Sequence, residues 1–115
     1  MKIREITTGD LSELLELYTH LHETCAPEDS EHLRSTWAAI CDNPNYHIIV
    51  CEKDGKIVSS CTCHILPNLT RNVRPYALIE NVVTHADYRG KGYATACLTY
   101  ARKLAVSADC YKMML

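Results

Sequence analysis

The run Tyr88-Arg89-Gly90-Lys91-Gly92-Tyr93-Ala94 joins two segments of different periodicity, and it constrains the architecture of this chain more than any other stretch. Before it, Ala77 to Thr84 has the apolar density of a buried strand. After it, Ala94, Cys97, Leu98, Ala101, Leu104 and Ala105 recur at helical spacing. A turn of small residues feeding a helix start leaves backbone N–H groups without intrahelical partners, at the positive end of the helix dipole. Such a junction is an anion site. Gly90, Gly92 and Ala94 add no bulk that would hold a diphosphate off the main chain. Spacing excludes two common phosphate loops. A P-loop needs four residues between its first glycine and Gly-Lys-Ser/Thr, and a dinucleotide fingerprint needs a third small residue where Thr95 stands.

Composition narrows the class further. The 115 residues suffice for one domain that buries roughly two-thirds of its unfolded surface. No apolar run approaches the ~18 residues of a membrane span. Met1 to Ile6 lacks the apolar centre of a signal peptide and reads as a first strand, so a cytoplasmic location is expected. A net charge of −2 argues against a nucleic-acid binder, which would present a basic face. Seven cysteines invite a disulfide or metal reading, but the count is odd. In Cys61-Thr62-Cys63-His64 a strand puts the two cysteines on one side and the histidine on the other, so they do not converge on one ion. Buried free thiols acting as small apolar side chains, with no metal, are expected. Asn68-Leu69-Thr70 matches a glycosylation acceptor, which has no meaning for a chain that stays in the cytoplasm.

The rest of the chain divides by punctuation. Lys2 to Ile6 is a short strand. Asp10 with Glu13 resembles a capping box, and Leu11, Leu14, Leu15, Tyr18 and Leu21 form a helical stripe expected to be core rather than a binding groove. Glu23 to Asp29, holding Pro27, breaks that helix. Ser30 caps the next, with Leu33, Trp37, Ile40 and Cys41 on one face, and Asp42-Asn43-Pro44 ends it. Tyr46 to Glu52 and Lys56 to Leu66 are strands joined by an Asp54-Gly55 hairpin turn. Pro67 to Pro75 is a loop carrying Arg71 and Arg74. Ala77 to Thr84 is the next strand, and Cys110 to Leu115 begins another after the long helix.

Arg89, Gly92 and Ala94 form an Arg-x-x-Gly-x-Ala pattern at a strand-to-helix junction, which resembles the acyl-CoA pyrophosphate loop of the GNAT N-acetyltransferases. The element order β-α-α-β-β-β-α-β is similar to that family's along the whole chain, and the motif-level likeness covers Leu78 to Leu98. The resemblance implies an α/β fold: a mixed central sheet flanked by helices, splayed between the fourth and fifth strands, with acetyl-CoA as co-substrate in the V. It implies that the backbone N–H groups from Arg89 through Gly90, Lys91, Gly92 and Tyr93 to Ala94 hold the pyrophosphate, with Lys91 adding charge. It places Val82 and Val83 where main chain bonds the pantetheine arm.

Glu80 is the candidate general base. On a regular strand it shares a face with Leu78 and Val82, where desolvation would raise its pKa toward that of a useful base. The alternative is a structural carboxylate. His85, near the strand end, is either a relay or a lone surface histidine. GNAT domains ordinarily continue beyond the fifth strand, through a helix whose tyrosine protonates the CoA thiolate. Tyr88, Tyr93 and Tyr111 lie in other elements, so the expectation is a single domain over 1–115 lacking the usual C-terminal helix and strands. An unpaired edge strand at Leu115 would favour a homodimer or larger. The expected activity is transfer of an acetyl group from acetyl-CoA to a primary amine of a small molecule or protein. The alternatives are a non-catalytic acyl-CoA-binding module or inactive fragment, and a thiol protein argued from the cysteines alone. The acceptor pocket is expected between the two early helices and the Pro67 to Pro75 loop.

Overall fold

Asp54 and Gly55 take φ values of 55° and 77°, the left-handed pair that a two-residue hairpin of matching twist requires. That turn joins the two long central strands of a computed structural model in which residues 1–21 and 25–115 are described. The expected helix break starting at Glu23 lies partly outside the described residues. The elements are β1 (Lys2–Glu5), α1 (Leu11–Tyr18), α2 (Glu31–Asp42), β2 (Tyr46–Lys53), β3 (Lys56–Leu66), a single turn α3 (Thr70–Val73), β4 (Tyr76–Thr84), α4 (Tyr93–Ser107) and β5 (Met113–Met114). They form one mixed sheet in the order β1-β2-β3-β4-β5, antiparallel except for the parallel β4–β5 pair. Fold class and element order agree with the sequence reading. The addition is α3, where Arg71 and Asn72 are left-handed at φ 57° and 62° within the expected loop.

Helices cover both faces of the sheet. On one, Cys97, Ala101 and Ala105 of α4 are small enough to let the helix settle against Cys61, Cys63, Ala77 and Ile79. On the other, Leu14 and Leu17 of α1 pack with Ile48, Val50, Ile57 and Val83, and Trp37 and Ile40 of α2 complete that layer. Cys51, Cys61, Cys63 and Cys97 are fully buried, and all the cysteines are unbridged thiols. Burial pushes the Cys61 and Cys97 thiols up to about 12 and Cys63 to about 11, so they pack as protonated, small apolar groups.

Local starts differ from the sequence reading at one helix. Ser30 caps α2 as expected, its Oγ accepting the Leu33 N–H at 3.0 Å. Asp10 does not pair with Glu13. Its carboxylate accepts the Thr7 N–H at 2.7 Å and Arg4 at 2.7 Å, while Glu13 accepts the Ile57 N–H at 3.1 Å. The carboxylates at the head of α1 therefore tie the helix to β1 and β3. Asn68, of the glycosylation-like triplet, spends its side-chain amide on Thr70 and on the Arg74 carbonyl at 3.2 Å.

Candidate active site

The site is built around an irregularity in β4. Ser60 pairs with Val83 and Thr62 with Glu80, so Asn81 and Val82 together oppose Cys61. One extra residue on β4 is a β-bulge, and it leaves main-chain groups out of the ladder. Asn81 adopts φ 52°, a left-handed conformation that asparagine tolerates better than other non-glycine residues. The bulge also inverts the alternation. Val82 packs toward α4, whereas Val83 packs toward α1. The expected face of Leu78, Glu80 and Val82 is thus corrected: Val83 takes the place of Val82 on the Glu80 side. Val83 O already accepts the Ser59 hydroxyl at 3.0 Å, while Val82 lies in the bulge without a ladder partner.

β5 pairs with β4 only at Ala77–Met113 and Leu78–Met114. From Ile79 onward the outer edge of β4 has no partner strand among the described residues. Its free stretch runs to the turn at residues 85–92, which opens α4. Gly90 and Gly92 take φ 74° and 86°, and a Cβ built on either meets nothing within 4 Å. Glycine is required here by backbone conformation, and the space in front of the turn is open. The first N–H of this region with a backbone partner is that of Ala96, bonded to Gly92 O at 3.0 Å. Those from Arg89 to Thr95 donate to no described residue. A row of free N–H groups at a helix start, facing open space, fits a diphosphate of the kind acyl-CoA carries.

The charged residues of the turn behave differently from one another. Lys91 is exposed, its Nζ 5.8 Å from the Tyr88 ring centre, with Lys56 Nζ 5.2 Å from the same ring. Arg89 is committed to structure: Nε donates to Thr84 O at 3.1 Å and an η nitrogen to His20 O at 3.2 Å. It clamps the turn to the end of α1. His85 is not a lone surface residue. It stacks on His20 with ring centres 4.2 Å apart, and its Nδ1 accepts the Asp87 N–H at 3.1 Å. His20 Nδ1 likewise accepts the Ala86 N–H at 3.3 Å. The two imidazoles thus hold the start of the turn through its main-chain N–H groups.

Asn81 also lines two cavities on the α1 side. One, of about 430 Å³, is walled by Leu15, Tyr18, Leu21, Ala26 and Pro27; a smaller one of about 110 Å³ runs under Tyr18 toward Trp37 and Tyr46. The α1 stripe expected to be core is therefore split. Leu14 is buried, as is Leu17 outside that stripe, whereas Leu15, Tyr18 and Leu21 line a cavity. The Pro67 to Pro75 loop does not reach it and borders a separate hollow near Asn45 and Ala108, at the far end of β4. Burial pushes the Tyr18 phenol up to about 12, against the opposing influence of the Thr62 hydroxyl beside it. Thr62 Oγ1 is itself buried, with the Tyr18 phenol as its polar neighbour. Glu80, directly across the β3–β4 ladder from Thr62, is exposed. The desolvated setting expected for Glu80 is absent: its side chain is exposed to solvent, one residue before the bulge.

The sequence likeness agrees with this geometry. Residues 11–115 match the model of the Acetyltransferase (GNAT) family. A glucosamine 6-phosphate N-acetyltransferase of Trypanosoma brucei brucei is 33% identical over 120 residues, spanning 100% of this chain and 78% of that protein. Among solved structures, a putative acetyltransferase from Agrobacterium tumefaciens str. C58 superposes with a TM-score of 0.92 at 41% identity, over 100% of this chain and 80% of that one. A Trypanosoma brucei acetyltransferase does so with a TM-score of 0.86 at 34% identity, over 99% and 80%. Likeness of this extent, in a chain whose bulged β4 leads into a helix start lined with free N–H groups, makes the protein a member of the GNAT family of acyl-CoA-dependent N-acetyltransferases.

Proposed function

We propose that the chain moves an acetyl group from acetyl-CoA to a primary amine of a small molecule or protein, within a single domain over 1–115. The reading is carried by the free N–H groups from Arg89 to Thr95 around left-handed Gly90 and Gly92. In it, the N–H groups of Arg89, Gly90, Lys91, Gly92, Tyr93 and Ala94 take the pyrophosphate, and Lys91 contributes charge without a fixed bond. Main chain at Val82 orients the pantetheine arm. Val83 contributes less, because Ser59 occupies its carbonyl. When bound, acetyl-CoA supplies the thioester that the amine attacks. Glu80, exposed and next in sequence to Asn81, takes the proton of the incoming ammonium directly or through water, since only the free amine is nucleophilic. The name of the trypanosomal relative raises a phosphorylated amino sugar as one acceptor to test.

The turn geometry gives the test. Gly92→Val places a β-branched residue at φ 86°, where L side chains are strained, and adds bulk in the space left for the diphosphate. It is expected to weaken acetyl-CoA binding at least tenfold, about 1.4 kcal/mol, with Lys91→Ala costing less. Calorimetry showing Gly92→Val bound like the parent would remove the phosphate-loop assignment.

A further inference from the structure

We propose that Lys56 and Lys91, gathered on the Tyr88 ring, form a subsite for the 3′-phosphate of the CoA ribose and make the chain selective for CoA over 3′-dephospho-CoA. The inference rests on the reading above that seats the pyrophosphate on the turn at residues 89–94, and extends it to a side chain from outside that turn. Lys56 opens β3 at the Asp54-Gly55 hairpin, far from the turn in sequence. Its Nζ stands 5.2 Å from the centre of the Tyr88 ring, and Lys91 Nζ stands 5.8 Å from the same centre. A cation over an aromatic face is held in place while its charge stays unneutralised.

Both supports of this arrangement are fixed. The hairpin is tied to the turn by the His85 N–H, which donates to Val58 O at 2.8 Å, and to α1 by the Ile57 N–H on Glu13. Tyr88 is half-buried, packs on the α4-side core and lies with its ring centre 6.2 Å from that of Tyr93. The ring is thus a post beside the head of α4, and the two lysines are exposed on it. The charges around the post leave these lysines for a ligand. Arg89, the third cation here, has its guanidinium on the Thr84 and His20 carbonyls. Asp54 and Asp87 are the acids whose fields reach Lys56, and neither closes an ion pair with it among the described residues. Tyr88 first, and then those two acids, favour the charged form of Lys56.

The chemistry of the ligand matches. Acyl-CoA carries a diphosphate and, one ribose ring away, a phosphomonoester that is close to doubly charged at neutral pH. Backbone N–H groups at a helix start serve the first. The second finds no further row of them, since the α4 N–H groups from Ala96 on bond within the helix. It calls for cations at the solvent edge. Lysine, a point charge with three donors on a flexible stem, meets that need.

The test measures binding of CoA and of 3′-dephospho-CoA to the intact chain by calorimetry. The parent is expected to bind CoA about tenfold tighter, with the ratio shrinking as salt rises, because exposed charges are screened. Lys56→Ala is expected to weaken CoA severalfold and leave 3′-dephospho-CoA unchanged, and Lys56→Arg to restore the preference. Lys91→Ala is expected to act in the same sense. Equal or tighter binding of 3′-dephospho-CoA by the parent overturns the proposal, and so does a Lys56→Ala variant that weakens both ligands alike. Gly92→Val separates the subsite from the turn. If it weakens both ligands while the parent shows no preference, the turn stands and the lysine subsite falls. A preference that Lys56→Ala abolishes, with Gly92→Val binding like the parent, supports the lysine subsite and removes the pyrophosphate from the turn.

Discussion

Glu80 is the last regularly paired residue before the bulge of β4. Without the extra residue at Asn81, β4 would keep a strict alternation, and Glu80 would sit on one face with Leu78 and Val82. With it, Val83 rather than Val82 follows Glu80 on the α1 side, while Glu80 itself is exposed to solvent. A base in that position needs no buried charge; it needs a substrate amine brought within reach. Glu80→Gln keeps the shape and loses the proton acceptor, so turnover is expected to fall by roughly 10²–10⁴-fold. Acetyl-CoA affinity should not move, because the turn proposed to take the pyrophosphate lies at the other end of the free β4 edge. The residual rate should climb with pH as the amine deprotonates unaided. Wild-type turnover by the variant at pH 7 would take Glu80 out of the mechanism.

At the scale of elements, periodicity and punctuation made most of the fold legible. Asp54-Gly55, Ser30 and Gly90-Lys91-Gly92 each announced a turn or cap by a local rule, and each stands where that rule puts it. The bulge was not legible, since a single asparagine in an apolar run reads as a weak strand residue. Its only trace is a change of phase, with Ala77 and Ile79 inward to α4 and then Val82 rather than Asn81. The cavity was hidden for a related reason: the stripe on α1 serves core at Leu14 and cavity at Leu15 and Tyr18. The α1 start was misread by three residues: Asp10 is the acid that reaches back to the Thr7 N–H, not the cap that faces Glu13. Arg4 donates two hydrogen bonds to Asp10 and holds its carboxyl down to about 2. A depressed carboxylate pKa stabilises the fold above its unfolded value, 3.8, and the effect fades as pH falls toward about 2. Asp10→Asn is therefore expected to lower stability at pH 7 by about 1–2 kcal/mol, with the gap closing below pH 4. Urea titrations at both pH values measure it, and a gap independent of pH would contradict the ion-pair account.

The whole molecule is a single sheet carrying two cores of unlike composition. The α4 side adds Cys51, Cys61, Cys63 and Cys97 and three alanines to Ile49, Val58, Ile65 and Ile79, and the α1 side is leucine, isoleucine and valine. Cysteine fits the first because α4 lies close to the sheet, where a thiol fills little more than an alanine and needs no hydrogen-bond partner. Those thiols are doubly protected. They are inaccessible, and burial raises all four above the ordinary thiol value, with Cys61, Cys63 and Cys97 reaching about 11 to 12, so almost no thiolate exists near neutral pH. Cys25 is exposed, and Cys41 and Cys110 are half-buried. Thiol titration of the native protein should therefore separate into a fast Cys25, slower Cys41 and Cys110, and four that react only when the sheet opens. Because those four line β2, β3 and α4, their rate reports global rather than local opening, and denaturant should release them together. Acetyl-CoA held at the head of α4 should slow that release, since a ligand of the folded state lowers the open population. Rapid labelling of Cys61 or Cys97 in the native chain, or release of the four in separate steps, would mean that α4 and the sheet do not form one cooperative unit.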